Sequence, residues 1–570
     1  MNRLWLRSSV LLFCVTQLLA ATRISRADDQ VPAEKRLPQE TLVFLTVSDI
    51  PDLAKKWDRS TFGQLLQDPQ VQPFMEDVYK KIDEHTKEVE DQIGVALKDL
   101  FELPRGELSF ALVEKPARRI AVVLMLEYGD NQATLDKLLK KMDEELDKDG
   151  AEHSTEDISN VQAHVYKLKQ NGSPINELAY FTDKKMFVFS TEVTALKEVI
   201  ERWGGDSDDT LATNEQYKYI QQQCKPESGE ALIKFFINPI GMIQTGVGIA
   251  QESIPQAGMA VGILPLLGLD AMKGYGGAMT MDDGELDGVA NIFMYVDNSN
   301  GLMGMFNFPA TQLTPPKWVP ADVGAYTIVN WNILGAYTSV EKLIDQFQGR
   351  GATARMLDSL AENFPNIHPK KDVIDHLDGK IQVIQGESKE ISEDGPAIPE
   401  VMFALGLKDA TKMKKTIAAW VKSSGGAMES REFNGETIYE HQADNNLTFS
   451  VAVTEGQLIL TNDTSLLESI MRGQGSRSSS LIDSPEYKRL SKMFPAKMSM
   501  ATFQRADVQL KGMYNTLKKM DPNDNPVEGI DLSKLPPFEV IAKYLQPSAS
   551  FSVPDKKGVK STSFSLKRND

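Results

Sequence analysis

Cysteine is almost missing from this chain: two in 570 residues, Cys14 and Cys224. Cys14 falls in an expected leader, so the mature chain keeps one thiol and can form no intramolecular disulfide. That excludes a disulfide-stapled extracellular scaffold. Histidine is also scarce, at His85, His153, His164, His368, His376 and His441. No two of these stand at the i, i+4 spacing of a zinc helix, and no Cys–His cluster occurs. Neither a metal centre nor a thiol–imidazole pair is therefore expected, and His368 and His376 read as surface residues. Gly-x-Ser-x-Gly and the Walker loop are absent, and MRGQGSRSSS (471–480) lacks the lysine and preceding strand of a phosphate loop. No cofactor and no catalytic residue is assigned.

Long apolar runs are lacking as well. The longest early one, Ser9 to Ala21, is shorter than the ~20 residues a membrane span needs. Arg3 and Arg7 precede it, and Ser25 and Ala27 set small residues at −3 and −1 of a cut before Asp28. This predicts a secretory signal over 1–27, cleavage after Ala27, an extracytoplasmic mature protein and no transmembrane span. Positive charge is in deficit: 62 Lys and Arg against 80 Asp and Glu give −18, and losing the leader's four arginines takes this to −22. So acidic a chain repels phosphate backbones, and nucleic acid is not an expected partner.

What remains is ordinary globular composition, 41% hydrophobic and 25% charged. The informative feature is a repeat. Thr194, Leu196, Glu198, Ile200 and Tyr217 match Thr464, Leu466, Glu468, Ile470 and Tyr487, each 270 residues on, as do Gly288-Val289 and Gly558-Val559. LPQETLVFLTV (37–47) resembles VPADVGAYTIV (319–329), and 122–142 resembles 403–421. Matches in one order predict two tandem homologous units, 28–298 and 319–570, joined by a Gly- and Pro-rich linker over 299–318.

Within a unit, strands are expected at 41–47, 108–113, 120–126, 161–168, 178–181, 186–189 and 232–237. Helices are expected from Asp68-Pro69 through Phe74, Val78, Ile82, Val89 and Ile93, from Asp130 through Leu146, and over Thr194 to Trp203. A hairpin turns at Asp282-Asp283-Gly284. Strands in consecutive pairs separated by single helices predict an α+β fold, each unit an antiparallel curved sheet with helices mainly on one face.

Two acidic turns invite comparison with calcium loops. Asp521, Asn523 and Asn525 start like one, but Pro526 replaces the required glycine and Leu532 the bidentate glutamate. Asp282, Asp283, Glu285 and Asp287 read as a solvated turn. Glycosylation-type triplets at Asn171, Asn446 and Asn462 are of a kind that chance supplies. Carboxylates are too many for spacing to single out a glycosidase pair.

One stretch stands apart. Residues 239–269 carry a single charge, Glu252, and are broken by Pro239, Pro255 and Pro265. They form either close-packed buried helices or an exposed apolar surface. The candidate contact residues are Met242, Ile243, Val247, Ile249, Met259, Val261, Ile263 and Leu264.

The segments LPQETLVFLTVSDIPDLAKKW with TFGQLLQDPQVQPF, LGLDAMKGYGGAMTMDDG and PKWVPADVGAYTIVNWNI resemble those of a family of secreted bacterial proteins catalogued as a domain of unknown function, DUF3352-like. The resemblance implies an envelope location and brings no site with it. The functional expectation is a non-catalytic binding or scaffolding protein of the cell envelope, with an envelope protein or a lipid as the class of partner. Its alternatives are a carrier or sensor of an apolar ligand, and a hydrolase with an unrecognised carboxylate site.

Overall fold

The computed structural model describes residues 31–81, 101–116, 119–169, 175–251, 254–297, 301–363, 367–389, 397–423, 425–443, 447–454, 456–472, 479–519 and 530–568. The expected leader, the helix face from Ile82 to Ile93, the turn at Asp521–Asn525, the loop beyond 472, Asn171 and Asn446 lie outside them. The described residues form two compact units, one of residues up to 261 with 272–295, the other of 262–271 with 296 onward.

The first unit is a ten-stranded sheet. Its strands are β1 (Thr41–Val47), β2 (Leu108–Lys115), β3 (Arg119–Glu127), β4 (Glu152–Ile158), β5 (Val161–Lys167), β6 (Glu177–Asp183), β7 (Met186–Ser190), β8 (Ile233–Ile237), β9 (Met272–Asp283) and β10 (Leu286–Val296). They lie in the order β4-β5-β6-β7-β3-β2-β1-β8-β9-β10, antiparallel from β4 through β9. The central strands alternate buried with half-buried residues, as a pleated strand with a covered face must. Strand β4, EHSTEDI, is almost wholly exposed, pairs only with β5, and has no apolar alternation by which to be recognised.

Its helices are α1 (Ile50–Arg59), α2 (Thr61–Gln67), α3 (Gln132–Lys148), α4 (Val193–Glu201), α5 (Glu215–Gln223) and α6 (Pro239–Gln251), residues 72–81 are also helical, and α7 (Gly258–Leu267) begins in this unit and ends in residues of the other. Ala195, Leu196, Val199 and Ile200 of α4 and Tyr217 and Ile220 of α5 join Phe44, Val113, Val123, Met125, Val165 and Val188 in the main core. Leu135, Leu138 and Leu139 of α3 pack with Leu126, Leu108 and Phe187, which point from the same strands to the opposite side. The expectation of helices mainly on one face is corrected here. Large apolar residues at both parities of β3 and β7 give the sheet two sticky faces, and each takes a helix.

The second unit has the same order of elements and the same pairing partners. Strands β11 (Ala325–Asn330), β12 (Leu377–Lys389), β13 (Ile398–Leu407), β14 (Glu429–Phe433), β15 (Glu436–Gln442), β16 (Thr448–Val453), β17 (Gln457–Thr461), β18 (Met500–Gln504), β19 (Ser548–Asp555) and β20 (Gly558–Leu566) run β14-β15-β16-β17-β13-β12-β11-β18-β19-β20, all antiparallel. Helix Ala410–Ser423 takes the place of α3, with Met413 as buried as Leu135. Tyr487 occupies the place of Tyr217: it meets Phe503 edge-on at 5.9 Å, as Tyr217 meets Phe236 at 5.7 Å.

Candidate functional site

Three neighbouring strands of the first unit carry polar residues at a core position. Register pairs Thr46 of β1 with Ser109 of β2 and with Lys234 of β8. One step along the same face, Phe44 pairs with Ala111 and Phe236, an ordinary apolar row. The polar row thus closes the end of the hydrophobic face. Tyr217 reaches it from α5, its ring edge-on to Phe44 at 5.9 Å and to Phe236 at 5.7 Å. The Asn214 side chain caps α5 by accepting from Gln216 and Tyr217 N–H, which fixes where that tyrosine points.

Across this row lies residues 32–37, a short 3₁₀ turn anchored by buried Ala33 and Leu37. Glu34 between them is 8% exposed, and its Oε1 accepts from Lys234 Nζ at 2.7 Å. Glu107, just before β2, is equally buried, and its Oε1 receives the Ala33 N–H at 3.1 Å, Thr46 Oγ1 at 3.1 Å and Ser109 Oγ at 2.9 Å. One carboxylate therefore ties the incoming chain to two strands. Burial pushes the Glu107 carboxyl above its ordinary range, and the charge of Glu34 adds to the rise, while its three donors oppose it. The Tyr217 hydroxyl is driven well above the usual phenol range by burial and then by Glu34 and Glu107. Behind the row, the Arg36 guanidinium sits 3.8 Å over the Trp203 ring, and burial lowers its pKa against the pull of Glu107.

Above these groups opens a cleft of about 1290 Å³ lined by Glu34, Thr46, Glu107, Tyr217 and Lys234 among others. Beneath it, Glu34 Oε2 and the Tyr217 hydroxyl are closed off from solvent, and the hydroxyl is held against the Glu34 carboxylate. Lysines and carboxylates both line it, Lys35, Lys218 and Lys225 with Asp49, Glu127 and Glu230 among them, and two further lysines come from an unusual turn. Lys184 and Lys185 join β6 to β7 with both residues in the left-handed region, φ 46° and 67°, and Lys185 pairs with Asp130 at 2.5 Å.

The second unit has no counterpart to this charge. There Ile328 pairs with Gln382 and Ala501, so Gln382–Ile328–Ala501 stands where Ser109–Thr46–Lys234 stands in the first. The Tyr326 hydroxyl donates to Gln382 Oε1 at 2.8 Å and the row is closed and buried.

None of the residues singled out in 239–269 lines the cleft. Helix α6 lays Gly241 and Thr245 on the sheet. A Cβ at Gly241 would come 2.6 Å from Leu42 Cδ2, and Thr245 Oγ1 donates to Glu114 Oε1 at 3.0 Å. Ile243, Ile249, Met259 and Ile263 are exposed, while Met242, Val247, Val261 and Leu264 are half-buried. Cys224 is fully buried with Sγ 3.9 Å from Gly276 O. His153 and His164, unrelated by spacing, meet diagonally across the β4–β5 hairpin with Nε2 and Nδ1 3.2 Å apart. Among the described residues no group of three or more His, Cys, Asp or Glu is placed to hold a metal ion. The acidic turn near 282 is engaged otherwise: Asp282 pairs with Arg59 at 3.0 Å, and Asp287 accepts the Thr61 N–H. Among the described residues no helix is long and apolar enough to cross a membrane.

The sequence assigns no role to Glu34, Glu107 or Lys234, and marks Tyr217 only as a repeat position. A signal was present: Thr46 and Lys234 are polar residues at inward parity in otherwise apolar strands, TLVFLTV and IKFFI.

Residues 13–238 match the family described as a protein of unknown function (DUF3352). The resemblance read from the sequence is thereby shown for this stretch, which contains Glu34, Glu107, Tyr217 and Lys234. The quoted segments beyond 238 lie outside the match. No curated protein and no solved structure matches the chain.

Proposed function

We propose that this is a non-catalytic binding protein of the cell envelope, exported by its leader, that holds a small polar ligand in the cleft of its first unit. Its two units arise from tandem duplication, and the second serves as scaffold. The observation that carries this reading is an open cleft of about 1290 Å³ over a charged row, Glu34, Glu107 and Lys234, where the second unit has the uncharged Gln382–Ile328–Ala501. Charge drawn into a sheet that can close without it is costly, and a polar ligand gives it a use. Binding is favoured over hydrolysis because both carboxylates are already engaged in holding the chain: Glu107 by three donors, Glu34 by Lys234.

The test is native mass spectrometry of the protein purified from its own host. A small polar molecule should accompany the wild type and be lost in Ala212→Trp, which sets an indole in the cleft. Protein that is ligand-free from every preparation, with A212W indistinguishable, refutes the proposal. A second reading, contact with a lipid or an envelope protein through 239–269, is favoured by the exposure of Ile243, Ile249, Met259 and Ile263. It requires the native protein to bind a hydrophobic dye and to lose that binding when Ile249 and Met259 are made polar.

A further inference from the structure

We infer that the outer side of α6, with the residues that follow it, rests on the acyl-chain layer of a neutral lipid bilayer, the helix lying along the membrane surface. This rests on the second reading above, contact through 239–269, and commits that contact to lipid.

Helix α6 is inside out. In α3 and α4 large apolar residues turn to the sheet, Leu135 in one and Leu196, Val199 and Ile200 in the other, as in any helix with water on its far side. In α6 the buried residues are Gly241 and Thr245, one turn apart, and Thr245 is fully buried with Glu114 as its acceptor. Ile243 and Ile249 are instead 42% and 45% exposed, while Met242 and Val247 are half-buried. Between the two isoleucines, a Cβ at Gly246 would meet nothing within 4 Å, so that side of the helix is open. Escape from water cannot produce this order, because it drives isoleucine inward and leaves threonine outside. Small and hydroxyl residues against protein, with isoleucine outside, is the order of a helix whose outer solvent is hydrocarbon. The surface extends beyond α6: Ile254 and Met259 are exposed, as are Tyr275 and Met279 of β9, the strand against which α6 packs.

Charge separates lipid from protein as the occupant. A quarter of the chain is charged, yet 239–269 carries only Glu252. A protein interface has a polar rim and about one hydrogen bond per 100–200 Å², and this segment offers few side chains for either. Acyl chains ask for none. The segment has no lysine or arginine and the whole chain is acidic, so anionic headgroups are repelled and neutral lipid is the match. The thirteen residues of α6 are about 20 Å long, short of the ~30 Å of a hydrocarbon core, which sets the helix along the surface and not across it.

The experiment is sedimentation of the full-length mature protein with sucrose-loaded phosphatidylcholine vesicles. Binding should be the same at low and high salt and should weaken as phosphatidylglycerol is mixed in. The double variant I243E/I249E, changed only at exposed positions, should bind at least ~10-fold more weakly with its unfolding midpoint unchanged. A polarity-sensitive fluorophore attached in Gly246→Cys, Cys224 being buried, should brighten on the vesicles and be quenched by brominated acyl chains. Absence of vesicle binding overturns the inference. So does binding that I243E/I249E leaves intact, or binding that needs phosphatidylglycerol and vanishes in salt. If vesicles are not bound but the native protein binds a hydrophobic dye, or forms a dimer that I243E/I249E breaks, the inference fails and the contact reading stands with a protein as partner. If neither vesicles nor dye are bound and the protein is monomeric, both fail.

Discussion

Removing the Glu107 side chain should destabilise the first unit, and removing only its charge should not. In Glu107→Ala the Ala33 N–H, Thr46 Oγ1 and Ser109 Oγ lose their shared acceptor in a layer where Glu107 itself is only 8% exposed. The two hydroxyls lie 2.7 Å apart and can satisfy one another. The backbone N–H cannot, and a stranded buried donor costs about 1–3 kcal/mol. With the packing lost around the missing atoms, E107A should cost about 2–3 kcal/mol. Glu107→Gln retains an acceptor oxygen in the same place and should lie within ~1 kcal/mol of wild type. The pH dependence gives an independent check. Because the folded carboxyl is raised above its ordinary value of 4.5, the native state keeps a proton that the unfolded chain has released. Wild-type stability should therefore fall relative to E107Q as pH rises from 4.5 through the folded value, then run level. Urea denaturation at a series of pH values reads both effects, with the slope on denaturant unchanged. An E107A protein as stable as wild type, or an E107Q protein as damaged as E107A, would refute the account of Glu107 as the tie between chain and sheet.

The imidazole of His164 is held below its ordinary value of 6.5, first by burial and then by the facing His153. Its contribution to stability should thus be complete above that value and be lost as pH falls through it toward the folded pKa. His164→Asn should flatten this slope in pH-dependent unfolding. In the second unit, Tyr326→Phe strands Gln382 Oε1 in a buried row and should cost about 1–2 kcal/mol in urea unfolding, with the far-UV dichroism unchanged.

Much of the sheet was legible because its central strands are short runs of apolar, β-branched and aromatic residues. The segments 41–47, 120–126 and 186–189 announce themselves as such runs. The helix of Leu135, Leu138 and Leu139 does so through period, although it starts at Gln132 after Asn131 rather than at Asp130. Strand β4 was illegible for a physical reason: an edge strand with no buried face needs no apolar pattern. The face assignment of helices failed because pattern within one segment cannot say which side of a two-faced sheet will receive it. The cleft escaped notice because its groups are brought together by register. Glu34, Glu107, Tyr217 and Lys234 are separated by long stretches of chain, and only the pairing of Thr46 with Ser109 and Lys234 aligns them.

The contrast between the units bears on why the polar row exists. Both sheets have the same strand order, so the fold itself is satisfied by Gln382–Ile328–Ala501, a row without charge. Taking Glu34, Glu107 and Lys234 out of water is costly, and mutual pairing returns only part of that cost. On the proposed reading, a row that the architecture does not require, and that costs stability, is kept for binding. The triple variant E34A/T46I/K234A carries this argument to experiment. It removes Lys234 together with the carboxylate it pairs with and replaces Thr46 by the isoleucine of the second unit. If the row serves binding, the variant should unfold within ~1 kcal/mol of wild type or above it, because no charge of the pair is left alone, yet retain no ligand in native mass spectrometry. A loss of more than ~3 kcal/mol would instead make the row part of the framework, there to hold residues 32–37 against the sheet.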